Sequence, residues 1–233
     1  MALPKIDIPI LEMVLPSTGE TIQYRPFTVK EEKILLVAQE SKDPEQEIIA
    51  AKQVVNNCLI SKDISTLAMF DLEFVLLTLR AKSVDNTIEF EITDPETEER
   101  VEVKLDINDV TLTIDENHNK SIQINDEYVL QLKYPSIDEF INIIAMNPKD
   151  PLVNYYIMIS CLHSIVSDDE VHDFADYTDQ EVDDFMGGMT GDVVKGITQF
   201  FETMPKLRHE IKYVNSEGSD KTFVIEGMRT FFI

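Results

Sequence analysis

The sequence predicts an α+β fold: a mainly helical body with N- and C-terminal β-hairpins and an antiparallel β insertion in the middle. Three observations carry this expectation. Apolar residues recur every three or four positions in the segments before and after the middle of the chain. From Thr87 to Leu132 the period becomes two. Each end of the chain holds two alternating runs around a cluster of turn formers. The expected division is a helical body with terminal hairpins over 1–84 and 135–233, and a β insertion over 85–134.

Leu11, Met13 and Leu15 alternate with polar positions, Thr18-Gly19 reverses the chain, and Ile22 and Tyr24 continue the alternation on the return. Pro26 ends this hairpin, because proline has no N–H to give a ladder. Thr28 with Glu31 three residues on forms a capping box for a helix over 29–39, expected to bury Ile34, Leu35 and Ala38. Asp43-Pro44 interrupts it. A second helix follows over about 45–59, with Ile48, Ala51, Val55 and Leu59 on one face. A third begins near Ser65 or Asp71 and carries Leu67, Phe70, Phe74, Leu77 and Leu79, a density of large apolar groups that places it centrally.

Ile88, Phe90 and Ile92 open the strand-rich middle, and Asp94-Pro95-Glu96-Thr97 turns the chain. Val101, Val103 and Leu105 run back, followed by runs at Val110 to Ile114, Ile122 to Ile124 and Tyr128 to Leu132. Five such runs in succession read as an antiparallel meander. Ser136 and Glu139 form a second capping box, before a helix with Phe140, Ile143 and Ile144 inward. Asn147-Pro148 stops it and Asp150-Pro151 starts the next, whose expected stripe is Tyr155, Ile159, Leu162 and Val166. Thr178 and Glu181 make a third capping box, and Gly187-Gly188 separates that helix from one over about 192–204. A closing hairpin pairs Ile211 and Tyr213 with Phe223 and Ile225 across Asn215-Ser216-Glu217-Gly218. A short final helix is expected over 227–233, with Phe231 and Phe232 docked on the body or on a partner.

Charge excludes several functions. Lys and Arg number 20 against 44 Asp and Glu, a net charge of −24, which argues against nucleic-acid binding and against an anionic membrane surface. It favours solubility, and also an acidic face that meets a basic protein. No apolar run approaches the roughly 18 residues of a membrane span, and no basic-then-apolar leader opens the sequence, so a cytoplasmic protein is expected. Cys58 and Cys161 are too far apart for a metal knuckle and sit in apolar stretches, as buried free thiols do.

The motifs that would carry chemistry fail on inspection. The four histidines make no HExxH pattern. Cys161 and His163 are two apart, and on a helix two such side chains point in different directions. Residues 168–184 hold nine carboxylates and no Lys or Arg. No register there supplies the ligand spacing, glycine and final glutamate of a calcium loop, so a solvated acidic loop and helix start is expected. Gly187-Gly188-Met189-Thr190-Gly191 precedes a helix but lacks the Lys-Ser or Lys-Thr of a phosphate loop. No catalytic, cofactor-binding or metal residue emerges.

Three stretches carry a resemblance: Met1-Ala2-Leu3-Pro4-Lys5, the Leu15-Pro16-Ser17-Thr18-Gly19 turn, and above all Tyr24-Arg25-Pro26-Phe27-Thr28-Val29-Lys30-Glu31-Glu32-Lys33. With the ending Gly227-Met228-Arg229-Thr230-Phe231-Phe232, they are similar to the baseplate hub assembly proteins of T4-like contractile-tailed phages. The likeness is most specific over roughly the first 40 residues. It implies a non-enzymatic protein without cofactors that helps form the baseplate hub beside the hub and tape-measure proteins, in the infected host cytoplasm, in a transient chaperone-like role. It also implies that the segment from Arg25 to Lys33 is a structural or docking element.

The candidate partner contacts are accordingly Arg25, Phe27 and Lys30 in the opening segment, Asp168, Asp169, Glu170 and Asp173 in the acidic stretch, and Phe231 and Phe232 at the C-terminal end. Arg25 and Lys30 are expected to pair with local carboxylates or with a partner's. Two other classes stay open: a tail-associated cell-wall hydrolase, which needs a cleft carboxylate of raised pKa, and an acidic DNA mimic, which needs charge in rows on one face.

Overall fold

The computed structural model describes residues 7–60, 62–146 and 152–226. The breaks at Asn147-Pro148 and Asp150-Pro151 and the expected final helix with Phe231 and Phe232 lie outside the described residues. The opening hairpin is present as strands β1 (Leu11–Val14) and β2 (Thr21–Tyr24), with Leu11 opposite Tyr24 and Val14 opposite Thr21. Gly19 takes φ +70° in the turn, a conformation that only glycine adopts without cost. Helices α1 (Val29–Ser41), α2 (Pro44–Cys58) and α3 (Met69–Ser83) follow. The Asp43 carboxylate accepts the Glu45 N–H at 3.0 Å, and Pro44 needs no partner for its missing donor at the first helical position.

Beyond α3, β3 (Thr87–Thr93) and β4 (Arg100–Asp106) form a hairpin, and β5 (Thr111–Thr113), β6 (Ser121–Gln123) and β7 (Val129–Leu132) continue the strand-rich middle. The second helical part holds α4 (Ile137–Ala145) and α5 (Val153–Ser160). Strands β8 (Leu162–Val166) and β9 (Val171–Asp173), helices α6 (Asp179–Gly187) and α7 (Gly191–Glu202), and the hairpin β10 (Lys206–Val214) and β11 (Asp220–Glu226) complete the order. All three expected capping boxes form, at Thr28/Glu31, Ser136/Glu139 and Thr178/Glu181. Among the described residues, no helix is long and apolar enough to cross a membrane.

Three expectations are corrected. The helix expected to run through Val166 ends at Ser160, and Leu162, Ser164, Ile165 and Val166 instead pair with β7, with Leu130 opposite Ile165. Ladder bonding to a buried neighbour overrides an apolar spacing that fits either period. Nor do five consecutive strands make one meander: β3 and β4 stand as a two-stranded sheet, β5 joins β10 and β11, and β6 and β7 join β8 and β9. The acidic stretch, expected as loop and helix start, contains β9 and a 3-10 turn over Phe174–Asp176.

The chain divides into two compact units, 1–113 with 206–233, and 114–205, so the expected boundaries at 84/85 and 134/135 are replaced. The reason is the partition of the strands: β5 pairs Leu112 with Leu207 across the first unit, while β6 and β7 need β8 to complete their sheet. In the first unit Leu77, Ile88, Leu105, Leu207, Ile211 and Ile225 share a core, with Phe74 and Phe223 packed against it. In the second, Leu130, Leu132, Cys161, Leu162, Ile197 and Phe200 do so. Full burial of a side chain such as Ile197 or Phe200 contributes about 2 kcal/mol each.

Candidate functional site

The opening segment is fastened at both ends of α3. The Ser17 N–H donates to Asp71 Oδ1 at 3.0 Å near the start of that helix, and the Phe27 N–H donates to Ser83 Oγ at 2.9 Å at its end. Between these points the end of β2 bridges to the C-terminal end of α2: the Arg25 N–H donates to the Cys58 carbonyl at 2.9 Å, and the Ile60 N–H to the Gln23 carbonyl at 3.0 Å. Asp71 is fully buried with Oδ2 unpartnered, and burial raises its pKa above the usual carboxylate range.

The candidate residues Arg25, Phe27 and Lys30 gather at the start of α1. The Arg25 guanidinium donates to Glu31 Oε1 at 3.0 Å and to the Pro26 carbonyl at 3.0 Å. Glu31 also accepts the Thr28 N–H at 2.9 Å and the Thr28 hydroxyl at 2.6 Å. Burial alone would raise the Glu31 carboxyl, but these donors outweigh it and hold the group down at about 2. Arg25 therefore pairs with a local carboxylate, its side chain 27% exposed above a Glu31 that is 2% exposed. Phe27 is half-buried and Lys30 exposed.

Burial on α1 follows the expectation at Ala38 and departs from it elsewhere. Ala38 is buried, Ile34 and Leu35 are only half-buried, and the innermost residue is Glu31. Val29, Leu36 and Val37, at 65%, 53% and 70% exposure, lie on the side of the helix away from Glu31 and Ala38, interspersed with exposed Lys33 and Glu40. The sequence reading named only the inward positions Ile34, Leu35 and Ala38 and gave no role to these three. The signal was nevertheless present, since apolar residues occur on both sides of the helix.

The acidic candidates occupy the 114–205 unit. Residues 167–170 form the turn between β8 and β9, closed by the Ser167 N–H to the Glu170 carbonyl at 2.9 Å, and Asp168, Asp169 and Glu170 are exposed on it. Glu170 Oε2 lies 3.2 Å from His172 Nε2. Asp173 is half-buried and caps the 3-10 turn by accepting the Ala175 N–H at 2.9 Å. Further along, Glu181 is spent on its capping box and Asp183 accepts the Tyr155 hydroxyl at 2.7 Å. No group of carboxylates, histidines or cysteines among the described residues is arranged to hold a metal ion.

Nucleophilic chemistry finds no support in the thiols, which are fully buried and pushed up by burial to about 11 at Cys58 and about 12 at Cys161. His163 is exposed on β8, whereas Cys161 faces the core. Gly188 ends α6 and Gly191 begins α7, so the glycine run is a helix–helix turn. What the structure presents is a braced opening segment with an apolar outer stripe, and a separate anionic hairpin tip. No curated protein and no solved structure matches the chain. The T4 bacteriophage base plate protein family does match it, over residues 8–233, and the chain belongs to that family.

Proposed function

We propose that this base plate family member is a non-enzymatic assembly factor of the phage tail hub, with a transient chaperone-like role. It acts in the host bacterial cytoplasm through protein–protein contacts with the hub and tape-measure proteins. The observation that carries the reading is the family match over 8–233. The α1 stripe supports it, because exposed valine and leucine on a helix fixed by the Arg25–Glu31 ion pair are a surface suited to binding protein. The anionic β8–β9 tip adds a feature that steers a basic partner. A hydrolase would need a raised carboxyl at a cleft, and Asp71, which burial raises, is sealed at 0% exposure against Ser17.

Co-expression with the hub and tape-measure proteins, followed by size-exclusion chromatography, tests the reading. Co-elution at low and moderate salt is expected, and elution of this chain alone under both overturns it. Mass spectrometry of purified particles then separates a transient helper, absent from them, from a permanent component. Peptidoglycan turnover by the purified chain, abolished by one Asp or Glu replacement, would favour the hydrolase instead.

A further inference from the structure

The sheet of the 114–205 unit has the strand order β6-β7-β8-β9, so β6 is an edge. Hydrogen-bond alternation fixes which of its main-chain groups face outward. The Leu132 N–H donates to the Lys120 carbonyl at 2.7 Å, and the Ile124 N–H to the Tyr128 carbonyl at 3.0 Å. Lys120, Ile122 and Ile124 therefore direct their main chain at β7, and residues 121 and 123 direct theirs the other way. The Ser121 N–H is taken by Asn119 Oδ1 at 3.0 Å. Among the described residues, the Ser121 carbonyl and both main-chain groups of Gln123 have no main-chain partner, and they point at the edge.

A groove of about 420 Å³ lies at β6, lined by Asn117, Asn119, Gln123 and Gln199 together with Ile122 and Phe200. No lining residue is charged, in a chain of net charge −24. Its shape is built into the packing. Helix α7 packs closely on β6 at Gly196, where a Cβ would lie 3.0 Å from Ile122 Cδ1. The loop bearing Asn117 and Asn119 is pinned by His118, whose Nδ1 lies 3.0 Å from Thr203 Oγ1 and Nε2 3.1 Å from the Tyr134 hydroxyl. The His118 ring also stacks on Phe200 at 4.9 Å. Two exposed acidic pairs bracket β6 along the chain, Asp115 with Glu116 before it and Asp126 with Glu127 after it.

We infer that the β6 edge binds an extended peptide segment of a partner protein by strand addition, the segment carrying uncharged side chains along the groove and basic residues at both ends. Main-chain pairing at Gln123 sets the register of the segment, the carboxamides meet its polar side chains, and the acidic pairs meet its Lys or Arg. An acidic segment is repelled at the Asp126 and Glu127 end, while exposed Lys120 offsets the repulsion at the other. The assembly reading is needed only to say that the segment belongs to a base plate protein; the site itself rests on the edge and its groove.

The test uses the full chain and synthetic peptides of alternating Thr and Val with Lys at each end, followed by fluorescence anisotropy and by the amide resonance of Gln123. Binding with a shift at Gln123 is expected. N-methylation of the alternate peptide amides should weaken it at least about tenfold, because main-chain donors carry strand addition. Gln123→Pro should do the same while leaving the β6–β7 bonds intact, since the Gln123 N–H does not face β7. Absence of binding by every peptide, or equal affinity for the N-methylated form, overturns the inference, the latter by reducing it to charge attraction. A wild-type dimer that Gln123→Pro turns into a monomer also overturns it, by placing a second copy on the edge. Peptide binding without co-elution of hub proteins would spare the edge and sink the assembly reading. Co-elution without peptide binding would do the reverse.

Discussion

A carboxylate as enclosed as Glu31 is tolerated because Arg25 and both donors of Thr28 serve it. Glu31→Ala removes the acceptor of all three and is expected to cost about 2 kcal/mol in urea unfolding. The pH dependence follows from the lowered pKa. The carboxyl titrates at about 2 in the folded chain against an ordinary 4.5, so its stabilisation is present above about pH 4.5 and is lost as pH falls from there to about 2. Glu31→Gln should flatten that limb of the stability profile. Asp71 has the opposite sign. Its pKa is raised, so stability falls as pH climbs above the ordinary carboxylate range, and Asp71→Asn, which keeps an oxygen for the Ser17 N–H, should have a higher Tm than the wild type at neutral pH. That advantage should vanish in thermal scans near pH 4, the region of its ordinary value of 3.8. The Thr28/Glu31 box was legible in sequence because a cap spans only three residues. That Asp71 meets Ser17 was not, since 54 positions separate them.

At the scale of elements, hairpins and caps were readable and strand partners were not. Thr18-Gly19 and Gly218 mark the two terminal turns, both glycines at positive φ. By contrast, residues 162–166 satisfy a helical spacing after α5 and a strand spacing beside β7, and only β7 decides between them. The stripe on α1 gives a test at this scale. Val37→Asp, at a site 70% exposed, should change stability by no more than about 0.5 kcal/mol. It should nevertheless reduce co-elution with hub proteins; unchanged co-elution removes α1 from the interface. Packing of α7 on β6 gives another. Gly196→Ala gains helix propensity but drives a methyl group into Ile122, and chemical denaturation should show a net loss of about 1 kcal/mol.

For the whole molecule, 44 acidic against 20 basic residues impose self-repulsion that the folded chain bears at neutral pH. Raising NaCl from low ionic strength to about 0.15 M, where the screening length is about 8 Å, should therefore raise Tm. A fall in Tm would mean that the ion pairs, Arg25 with Glu31 and Lys133 with Glu139 among them, outweigh the repulsion. Of the candidate contacts, the sequence located the acidic tip at Asp168 to Glu170, yet it could not tell that Asp173 spends its carboxylate on a local cap. It had no means of finding the β6 edge, because an edge exists only relative to the strands that stop beside it.

By itself the sequence determined what depends on residues within a turn or two of one another: the α+β class, the terminal hairpins, the three capping boxes and the glycine break between α6 and α7. Only the tertiary structure decided which strands pair, where the chain divides into units, and which face of α1 lies outward. These outcomes depend on contacts such as Leu112 with Leu207 and Leu130 with Ile165. Such pairings join positions far apart in the chain, and their free energy comes from burial and ladder bonding that no local pattern encodes.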